Sequence, residues 1–433
     1  MKNVIFTIML TVLFSLMYFE VEFYALPGIN TKMMIAVLGL VVFCVKVLIN
    51  RDVSVPKIQF GIFFISLLFS LICFVSVVYN GTDDFVYATY FAKMSVWFFG
   101  AYFVVTAIKW LHGRFSFQLL FHYLALLCAA QCVIALILDN IPAFYEWLKN
   151  TIVDDYEFIE RNKRLIGIGA MYDTAGMRFT PALIGLMYLM MNKSCNKTLF
   201  FYMILWSIIV VVGSAMSRTT SIGAILSLFY LLFNKIEIGK VISYKSIRIF
   251  MGCMLFVVFV ITIVVYCYNN IPEFRGYMEF GFQNFFNYNR TGEFTSQSTR
   301  NLMNMFILPD NMKTWIIGDA LFDVSGGFYM STDVGYLRFI FYCGILGFMA
   351  FSSLFVFCTI ELSRRWPRMK GLFITLLIWQ AFFWIKGSAD IFVIFALLTL
   401  VPVTAGDRFE PLFFNKENNL SDDPQDNSLL LVE

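Results

Sequence analysis

The chain has 433 residues, of which 60% are hydrophobic and only 14% are charged, whereas typical soluble proteins have about half and about a quarter. It contains 51 phenylalanines, and a soluble fold of this size could not bury so much apolar surface. The composition therefore excludes a soluble enzyme, a disordered chain and a nucleic-acid-binding protein, and it predicts an all-α polytopic membrane protein.

Twelve apolar segments are long enough, or nearly so, to cross a hydrocarbon core of ~30 Å as helices. The first follows Lys2 and lacks a small-residue cleavage site, so we expect it to be retained as a helix rather than removed as a signal peptide. The predicted spans are 4–20, 33–50, 58–79, 88–108, 116–138, 178–192, 198–213, 219–233, 249–268, 335–360, 371–386 and 390–405. Residues 1–405 then form a single transmembrane domain, and the polar, acidic segment 406–433 is predicted to be a disordered cytoplasmic tail.

Basic residues are concentrated in every second connection between these spans. Fifteen of them lie on one side against three acidic residues, so the positive-inside rule places both termini in the cytoplasm. Two long segments, 139–177 and 269–332, lie on the opposite, external side. Connections of this length are usually functional or folded in their own right, which directs the search for a site to the external side.

Three arginines lie close to the external ends of predicted spans, although basic residues are otherwise concentrated on the cytoplasmic side. Arg178 begins the sixth span, Arg218 is the only charge in the turn between the seventh and eighth, and Arg338 follows the start of the tenth. An ionisable group at membrane depth is costly and usually faces a protein cavity. The alternative is that these side chains extend to lipid phosphates as interfacial anchors.

Three more arginines, Arg275, Arg290 and Arg300, lie among aromatic residues in the second external segment. A guanidinium group suits bidentate binding of phosphate, and aromatic rings offer flat faces for sugars. This mixture favours a phosphorylated, sugar-bearing ligand, but it is equally typical of a loop helix that lies at the membrane interface.

A general base on the external side must be a carboxylate. His112 is predicted to be cytoplasmic and His122 lies inside the fifth span. The preferred candidate is Asp333, which opens the tenth span and has Arg338 nearby to keep it ionised, although it could instead cap the helix. The rival carboxylates are Asp173, Glu293, Asp319 and Asp323.

Two further expectations concern charged groups. Lys386 and Asp390 are four residues apart and are predicted to form a structural ion pair on one helix. The external side has no Asp, Glu or His cluster at metal-ligand spacing, so we expect neither a metal nor a cofactor.

Two motifs resemble those of the Wzy-type polysaccharide polymerases, which form one group with the O-antigen ligases. The stretch Gly213-Ser-Ala-Met-Ser-Arg-Thr-Thr-Ser-Ile-Gly223 resembles their S-R-x-x-x-x-G turn. The stretch from Asp333 to Gly347 resembles the helix after their large loop, and Trp315-Ile-Ile-Gly-Asp319 resembles the end of that loop. The ligases tend to have histidine where Asp333 stands here, which favours a polymerase.

The resemblance implies a metal-independent glycosyltransferase of the bacterial inner membrane with its active site facing the periplasm. It would join undecaprenyl-diphosphate-linked repeat units into O-antigen or capsular polysaccharide, with donor, acceptor and lipid bilayer as partners, and a chain-length regulator and a flippase as further ones. Asp333 would be the base and Arg218 would bind the donor diphosphate. Further substrate-binding candidates are Arg178, Arg300, Arg338, Arg275, Arg290 and Tyr336. A ligase-type transferase and a transporter or flippase of lipid-linked sugars remain alternatives.

Overall fold

The fold is a bundle of helices, seen in a computed structural model that describes residues 2–50, 57–162, 164–192, 196–233, 244–293, 295–324 and 327–402. The predicted tail 406–433 lies outside the described residues, as do four of the basic residues used to predict the topology: Arg51, Lys193, Lys235 and Lys240. The predicted all-α class is confirmed for the part of the chain that is described.

The helices are α1 Lys2–Tyr18, α2 Thr31–Asn50, α3 Lys57–Asn80, α4 Tyr90–His112, α5 Phe117–Asn140, α6 Pro142–Thr151, α7 Tyr156–Asn162, α8 Tyr172–Met191, α9 Asn196–Met216, α10 Thr219–Phe233, α11 Tyr244–Asn270, α12 Pro272–Gly281, α13 Gln283–Thr291, α14 Gln297–Asn304, α15 Met312–Ile316, α16 Gly335–Arg365, α17 Lys370–Phe383 and α18 Phe392–Thr399. Two short strands, β1 Asp323–Val324 and β2 Gly327–Phe328, form an antiparallel hairpin before α16.

Six of the described helices are long and apolar enough to cross a membrane. These are the helices that contain Thr31–Ile49, Lys57–Asn80, Tyr90–His112, Phe117–Asn140, Thr198–Met216 and Gly335–Arg365. Large apolar side chains on the outside of the bundle, such as Leu48, Phe60 and Leu255, are at least two thirds exposed. Such a surface is unfavourable in water and suits contact with lipid, so the composition and the helices both indicate a membrane protein.

The last predicted span, 390–405, differs most from the structure. Its helix, α18, has only eight residues, which corresponds to about 12 Å at 1.5 Å per residue. All eight are buried in the bundle, and residues 403–405 lie outside the described chain. The apolar character of this segment therefore reflects burial within the protein, because periodicity and hydropathy do not distinguish a buried helix from a short span.

Close packing of α8 against α10 positions the break between α9 and α10. A Cβ atom at Gly176 of α8 would lie 2.7 Å from the Cβ of Thr219, and one at Gly223 of α10 would collide with Thr180 of α8. Small residues at such crossings let helix backbones approach closely. The first residue of α10, Thr219, is therefore fixed against the start of α8, and Arg218 with it.

A glycine breaks α16 and creates a docking place for the preceding loop. Gly344 has a φ of 66°, which is open to glycine at little cost. The carbonyl oxygens of Phe341 and Tyr342 accept hydrogen bonds from the backbone N–H groups of Asp319, at 2.6 Å, and Ala320, at 3.0 Å. Carbonyl groups exposed by a broken helix must accept hydrogen bonds from protein where water is absent. The loop supplies these hydrogen-bond donors to α16.

Four of the connections at one end of the bundle, segments 19–30, 81–89, 141–171 and 271–334, form what we term the loop face. Contacts join them to one another. Phe23 pairs with Ile152 through a backbone bridge, and the backbone N–H of Phe322 donates to the carboxylate of Asp84 at 2.6 Å. The two long segments predicted from the sequence are therefore folded, mainly as short helices, and they lie at the same end.

Candidate functional site

Arg218 occupies the two-residue break between α9 and α10. The break is shorter than the predicted turn of residues 213–218, because α9 continues to Met216. The Nε of Arg218 donates to the carbonyl oxygen of Phe280 at 3.0 Å, and its guanidinium carbon lies 4.3 Å from the centre of the Phe280 ring. Arg218 forms no ion pair in the described chain, so its charge remains available to a ligand.

Arg218 opens onto a cavity of about 360 Å³, which we term the Arg218 cavity. Its described lining contains two cations, Arg218 and Lys386, and no carboxylate. The remaining lining is mixed, with polar groups on one part and apolar side chains on another. These residues are Thr219, Ser221, Ile222, Ile225, Gly281, Phe282, Gln283, Asn284, Phe285, Ser296, Thr299, Leu302, Phe382, Phe383 and Ile385. The cavity thus suits an anion attached to an apolar group.

Lys386 is held in this cavity by Asp173 at the start of α8. The Nζ of Lys386 lies 2.6 Å from Oδ1 of Asp173, and the same oxygen accepts a hydrogen bond from the hydroxyl of Thr219 at 3.1 Å. The carboxylate therefore places the ammonium group next to the Arg218 turn.

The predicted ion pair between Lys386 and Asp390 is wrong. Helix α17 ends at Phe383 and α18 begins at Phe392, so the two residues lie in a connection and the four-residue helical spacing does not apply. Asp390 instead accepts hydrogen bonds from the backbone N–H of Phe392 at 2.8 Å and from the hydroxyl of Tyr90 at 3.3 Å.

Asp333 and Arg338 are in contact at the start of α16. Nη1 of Arg338 lies 3.6 Å from Oδ1 of Asp333, and Nη2 lies 2.8 Å from Oδ1 of Asp323. If both residues were helical, their spacing of five would place Asp333 and Arg338 on different faces of the helix. Helix α16 begins only at Gly335, so Asp333 precedes the helix and the helical spacing does not apply to it. The N-cap of α16 is Val334, without a side-chain cap; the alternative role of Asp333 as a helix cap is therefore not observed.

The pKa of the Asp333 carboxyl is raised to about 6, chiefly because burial disfavours its ionised form. The negative charge of Asp173 raises this pKa further, whereas the positive charges of Arg338 and Lys386 lower it. Arg338 was expected to keep Asp333 ionised. Its positive charge does lower the pKa, but the increase caused by burial is larger. A carboxyl that titrates near neutral pH is well matched to general-base catalysis.

Asp173 and Lys386 provide an electrostatic link between Arg218 and Asp333, the two residues predicted to be catalytic. Asp173 interacts electrostatically with Arg218 and also with Asp333. Lys386 lines the Arg218 cavity and acts on the Asp333 carboxyl. Charged residues from α8, the α9–α10 break, the residues after α17 and the start of α16 thus interact electrostatically with one another.

Arg164 and Phe280 belong to the same region and were not predicted from the sequence. The guanidinium carbon of Arg164 lies 4.7 Å from the centre of the Phe280 ring, and Arg164 interacts electrostatically with Arg218. Arg164 lies in the first external segment, where the same topology argument that singled out the other arginines applies to it. Phe280 could not be singled out from the sequence, because it is one of 51 phenylalanines.

Arg178 is placed apart from the Arg218 cavity. Helix α8 begins at Tyr172, six residues earlier than predicted, so Arg178 lies inside the helix and is only 7% exposed. Its guanidinium carbon lies 4.5 Å from the ring centre of Trp97 and 5.2 Å from that of Tyr18. This arginine is neither an interfacial anchor nor part of the described cavity lining.

Arg275, Arg290 and Arg300 lie exposed on the loop face. Arg290 is 3.0 Å from Glu279, Arg300 is 3.6 Å from Glu293, and Nε of Arg275 donates to the carbonyl oxygen of Tyr268 at 3.3 Å. Their helices supply part of the cavity wall, but none of the three is in its described lining. The structure does not bring these arginines together with Arg218.

The remaining candidates have structural contacts. Tyr336 donates to the carbonyl oxygen of Ala381 and packs against Trp384, which ties α16 to α17. Asp319 accepts hydrogen bonds from Lys313 at 2.7 Å and from Thr314 at 2.8 Å. No group of three His, Cys, Asp or Glu side chains that could hold a metal ion occurs in the described part of the chain.

Comparisons of the chain with known protein families, with curated proteins and with solved structures find no match. Function is therefore inferred from the residues of the site and from their geometry.

Proposed function

We propose that this protein is a membrane glycosyltransferase that joins undecaprenyl-diphosphate-linked oligosaccharide repeat units into a surface polysaccharide. The observation that supports this most is the Arg218 cavity. Two cations without a carboxylate line it, and one of them, Lys386, interacts electrostatically with the carboxyl group of Asp333, whose pKa is raised to about 6. A diphosphate leaving group and a hydroxyl nucleophile require these two functions.

The diphosphate of the donor is expected to bind Arg218 and Lys386. A guanidinium group can donate two parallel hydrogen bonds to phosphate oxygens, and the half-buried position strengthens them. Preorganised cations stabilise the negative charge that develops on the leaving group as its bond to the sugar breaks. Together they can neutralise the diphosphate without a metal ion.

Asp333 is expected to deprotonate the acceptor hydroxyl. The acceptor oxygen then forms a bond with the anomeric carbon of the donor, the bond from that carbon to the diphosphate breaks, and Asp333 holds the proton. Arg338 orients the carboxyl group through its contact at 3.6 Å. A positioned base of this kind typically contributes about 10²–10⁴-fold to the rate.

The rim of the cavity suits the isoprenoid part of the substrate. Ile222, Ile225, Phe382 and Ile385 line the cavity and are each more than a third exposed. Exposed apolar residues at the mouth of a polar cavity fit a ligand that enters from the bilayer. With the basic connections in the cytoplasm, as the positive-inside rule predicts, the loop face would lie in the periplasm and the protein in a bacterial inner membrane.

The test is polymerisation by the purified full-length protein in lipid nanodiscs, supplied with the lipid-linked repeat unit from its host. A ladder of lengthened lipid-linked glycans is expected, and Arg218→Ala should abolish it. Transfer of a single glycan to another acceptor would instead indicate a ligase, and lipid movement without a new glycosidic bond would indicate a transporter. Either result would overturn the proposal.

A further inference from the structure

A second cavity, of about 570 Å³, lies on the loop face between the end of α5 and helices α6, α7 and α12. Both external segments contribute to it, the first through α6 and α7 and the second through α12. Its size falls within the range of small-molecule binding sites, about 300–1,000 Å³. We term it the α12 cavity; its described lining is Leu138, Asp139, Pro142, Tyr145, Ile159, Glu160, Arg164, Pro272, Gly276, Tyr277 and Phe280.

Phe280 connects the α12 cavity with the Arg218 cavity. Its ring lines the former, and the guanidinium carbons of Arg164 and Arg218 lie 4.7 Å and 4.3 Å from the ring centre. Its carbonyl oxygen accepts the hydrogen bond from Arg218 at 3.0 Å. The two cavities therefore lie next to each other at the end of α12, where Phe280 lines one and Gly281 the other.

The charges of the two cavities differ. The described lining of the Arg218 cavity has two cations and no carboxylate, whereas that of the α12 cavity has the carboxylates of Asp139 and Glu160 against the single cation Arg164. Glu160 is also paired with Lys149 at 2.8 Å, so the charges around the α12 cavity balance and offer a diphosphate no surplus of positive charge. The charge pattern therefore favours phosphate on one side of Phe280 and an uncharged polar group on the other.

The polar groups of the α12 cavity suit hydroxyl-rich ligands. Tyr277 donates to Oδ1 of Asp139, and Oε1 of Glu160 accepts from Lys149 at 2.8 Å and from Tyr145 at 3.4 Å. In the described chain the second oxygen of each carboxylate has no hydrogen-bond partner, so it can accept hydroxyl donors. The tyrosine rings add flat apolar surface against which a sugar ring can pack.

We propose that the α12 cavity binds the sugar residues of the substrate whose diphosphate occupies the Arg218 cavity, and that Asp139, Glu160 and the two tyrosines hold its hydroxyl groups. This inference rests on the proposed function for the identity of the substrate. It assigns a role in glycan recognition to the first external segment as well as the second.

Gly276 provides a direct test. It lines the α12 cavity, its φ is ordinary for a helix, and a Cβ atom placed on it would meet no atom within 4 Å. Gly276→Leu therefore adds its Cβ atom without a clash, is expected to reduce the free volume of the cavity, and improves helix propensity. The matched control is Gly252→Leu, because Gly252 in α11 is equally open and lies outside the cavity.

The experiment measures equilibrium binding of the free oligosaccharide released from the host's lipid-linked repeat unit to the full-length protein in detergent. We expect Gly276→Leu to weaken binding at least about tenfold, since misfits of this kind commonly cost about 10–200-fold. Gly252→Leu and Arg364→Lys should stay within about twofold of the wild-type protein, because Arg364 pairs with Glu361 on the exposed surface of α16 and lines neither cavity. Tyr277→Phe, which removes one hydroxyl, should weaken binding by a smaller factor.

Equal affinity of Gly276→Leu and the wild-type protein, or absence of binding by the wild-type protein at millimolar oligosaccharide, would overturn this inference. Polymerisation measured in parallel separates it from the proposed function. If the wild-type protein binds the oligosaccharide in a Gly276-dependent way but forms no polymer, the polymerase fails and the sugar site stands. If polymer forms and binding is indifferent to Gly276→Leu, the polymerase stands and the sugar site fails.

Discussion

Asp173 and Lys386 form an ion pair of 2.6 Å that ties the start of α8 to the connection after α17. The same carboxylate oxygen accepts a hydrogen bond from Thr219, the neighbour of Arg218. Asp333 also interacts with both members of the pair. One pair of side chains therefore links the proposed diphosphate site to the proposed base.

Replacement of Arg218 by lysine or alanine should reduce polymer formation by about 10²–10³-fold, the usual cost of removing one preorganised donor at a developing negative charge. Lysine keeps the charge but loses the planar fork that binds phosphate in a bidentate manner. The measurement is the rate of polymerisation in nanodiscs. Arg364→Lys is the control, since Arg364 pairs with Glu361 on the exposed surface of α16; activity of Arg218→Ala close to that of Arg364→Lys would contradict the assignment.

Asp333→Asn should lower the rate by about 10²–10⁴-fold while leaving the fold intact. Asparagine keeps the shape of the side chain but cannot accept a proton. Because the N-cap of α16 is Val334 without a side-chain cap, Asp333→Ala should fold as well as Asp333→Asn and be as inactive. Near-normal synthesis by Asp333→Asn would exclude Asp333 as the base.

The same substitution should not destabilise the protein at pH 7. Burial raises the pKa of Asp333 in the folded state to about 6 from a usual value of 3.8. Its ionised form is therefore disfavoured by folding, and stability from this group is lost as pH rises from about 4 to about 6. We expect the melting temperature of Asp333→Asn to equal or exceed that of the wild-type protein at pH 7, and to lose this advantage near pH 4.

Activity should fall as the pH is lowered through about 6, because the base must be ionised. Asp173→Asn removes a negative charge that raises the Asp333 pKa, so it should move this limb to lower pH. Lys386→Gln removes a positive charge that lowers the pKa, so it should move the limb to higher pH. Rates measured from pH 4.5 to 8.5 test both directions; shifts of the same sign would contradict the electrostatic arrangement.

Helices were predictable from the sequence because a chain that crosses lipid must satisfy its backbone internally, which requires long apolar runs. The runs at 58–79 and 116–138 coincide with α3 and α5 to within two residues. The apolar segment 390–405 was predicted to be a span, but its helix α18 is buried inside the bundle. Burial in protein requires the same apolar composition as contact with lipid.

The partners of the charged residues were not predictable from the sequence. Asp173 and Lys386 are 213 residues apart, so their contact depends on how α8 packs against α10 and α17. Asp390 was the predicted partner of Lys386 because it is only four residues away. It instead accepts hydrogen bonds from Tyr90 and Phe392. Spacing predicts pairs within one helix, whereas a site built from four elements requires the tertiary structure.

The break in α16 should be intolerant of a side chain. Gly344 has a φ of 66°, and a Cβ atom there would collide with the carbonyl of Ile316. Its ψ of −177° places Gly344 in a backbone region that is essentially restricted to glycine and costs other residues about 1–3 kcal/mol, and displacement of α15 would also break the hydrogen bonds from Asp319 and Ala320 to α16. Gly344→Ala should therefore lower the melting temperature in detergent markedly.

Gly252→Ala is the matched control for this last substitution. Gly252 lies within α11 with open space around its Cα, so alanine there should stabilise the helix by about 1 kcal/mol. The loop that docks at the α16 break leads directly to the β1–β2 hairpin, where Asp323 binds Arg338 at 2.8 Å. Gly344→Ala should thus also reduce polymerisation, because Arg338 loses the support that orients Asp333; a variant as stable and as active as Gly252→Ala would show that the docking does not maintain the site.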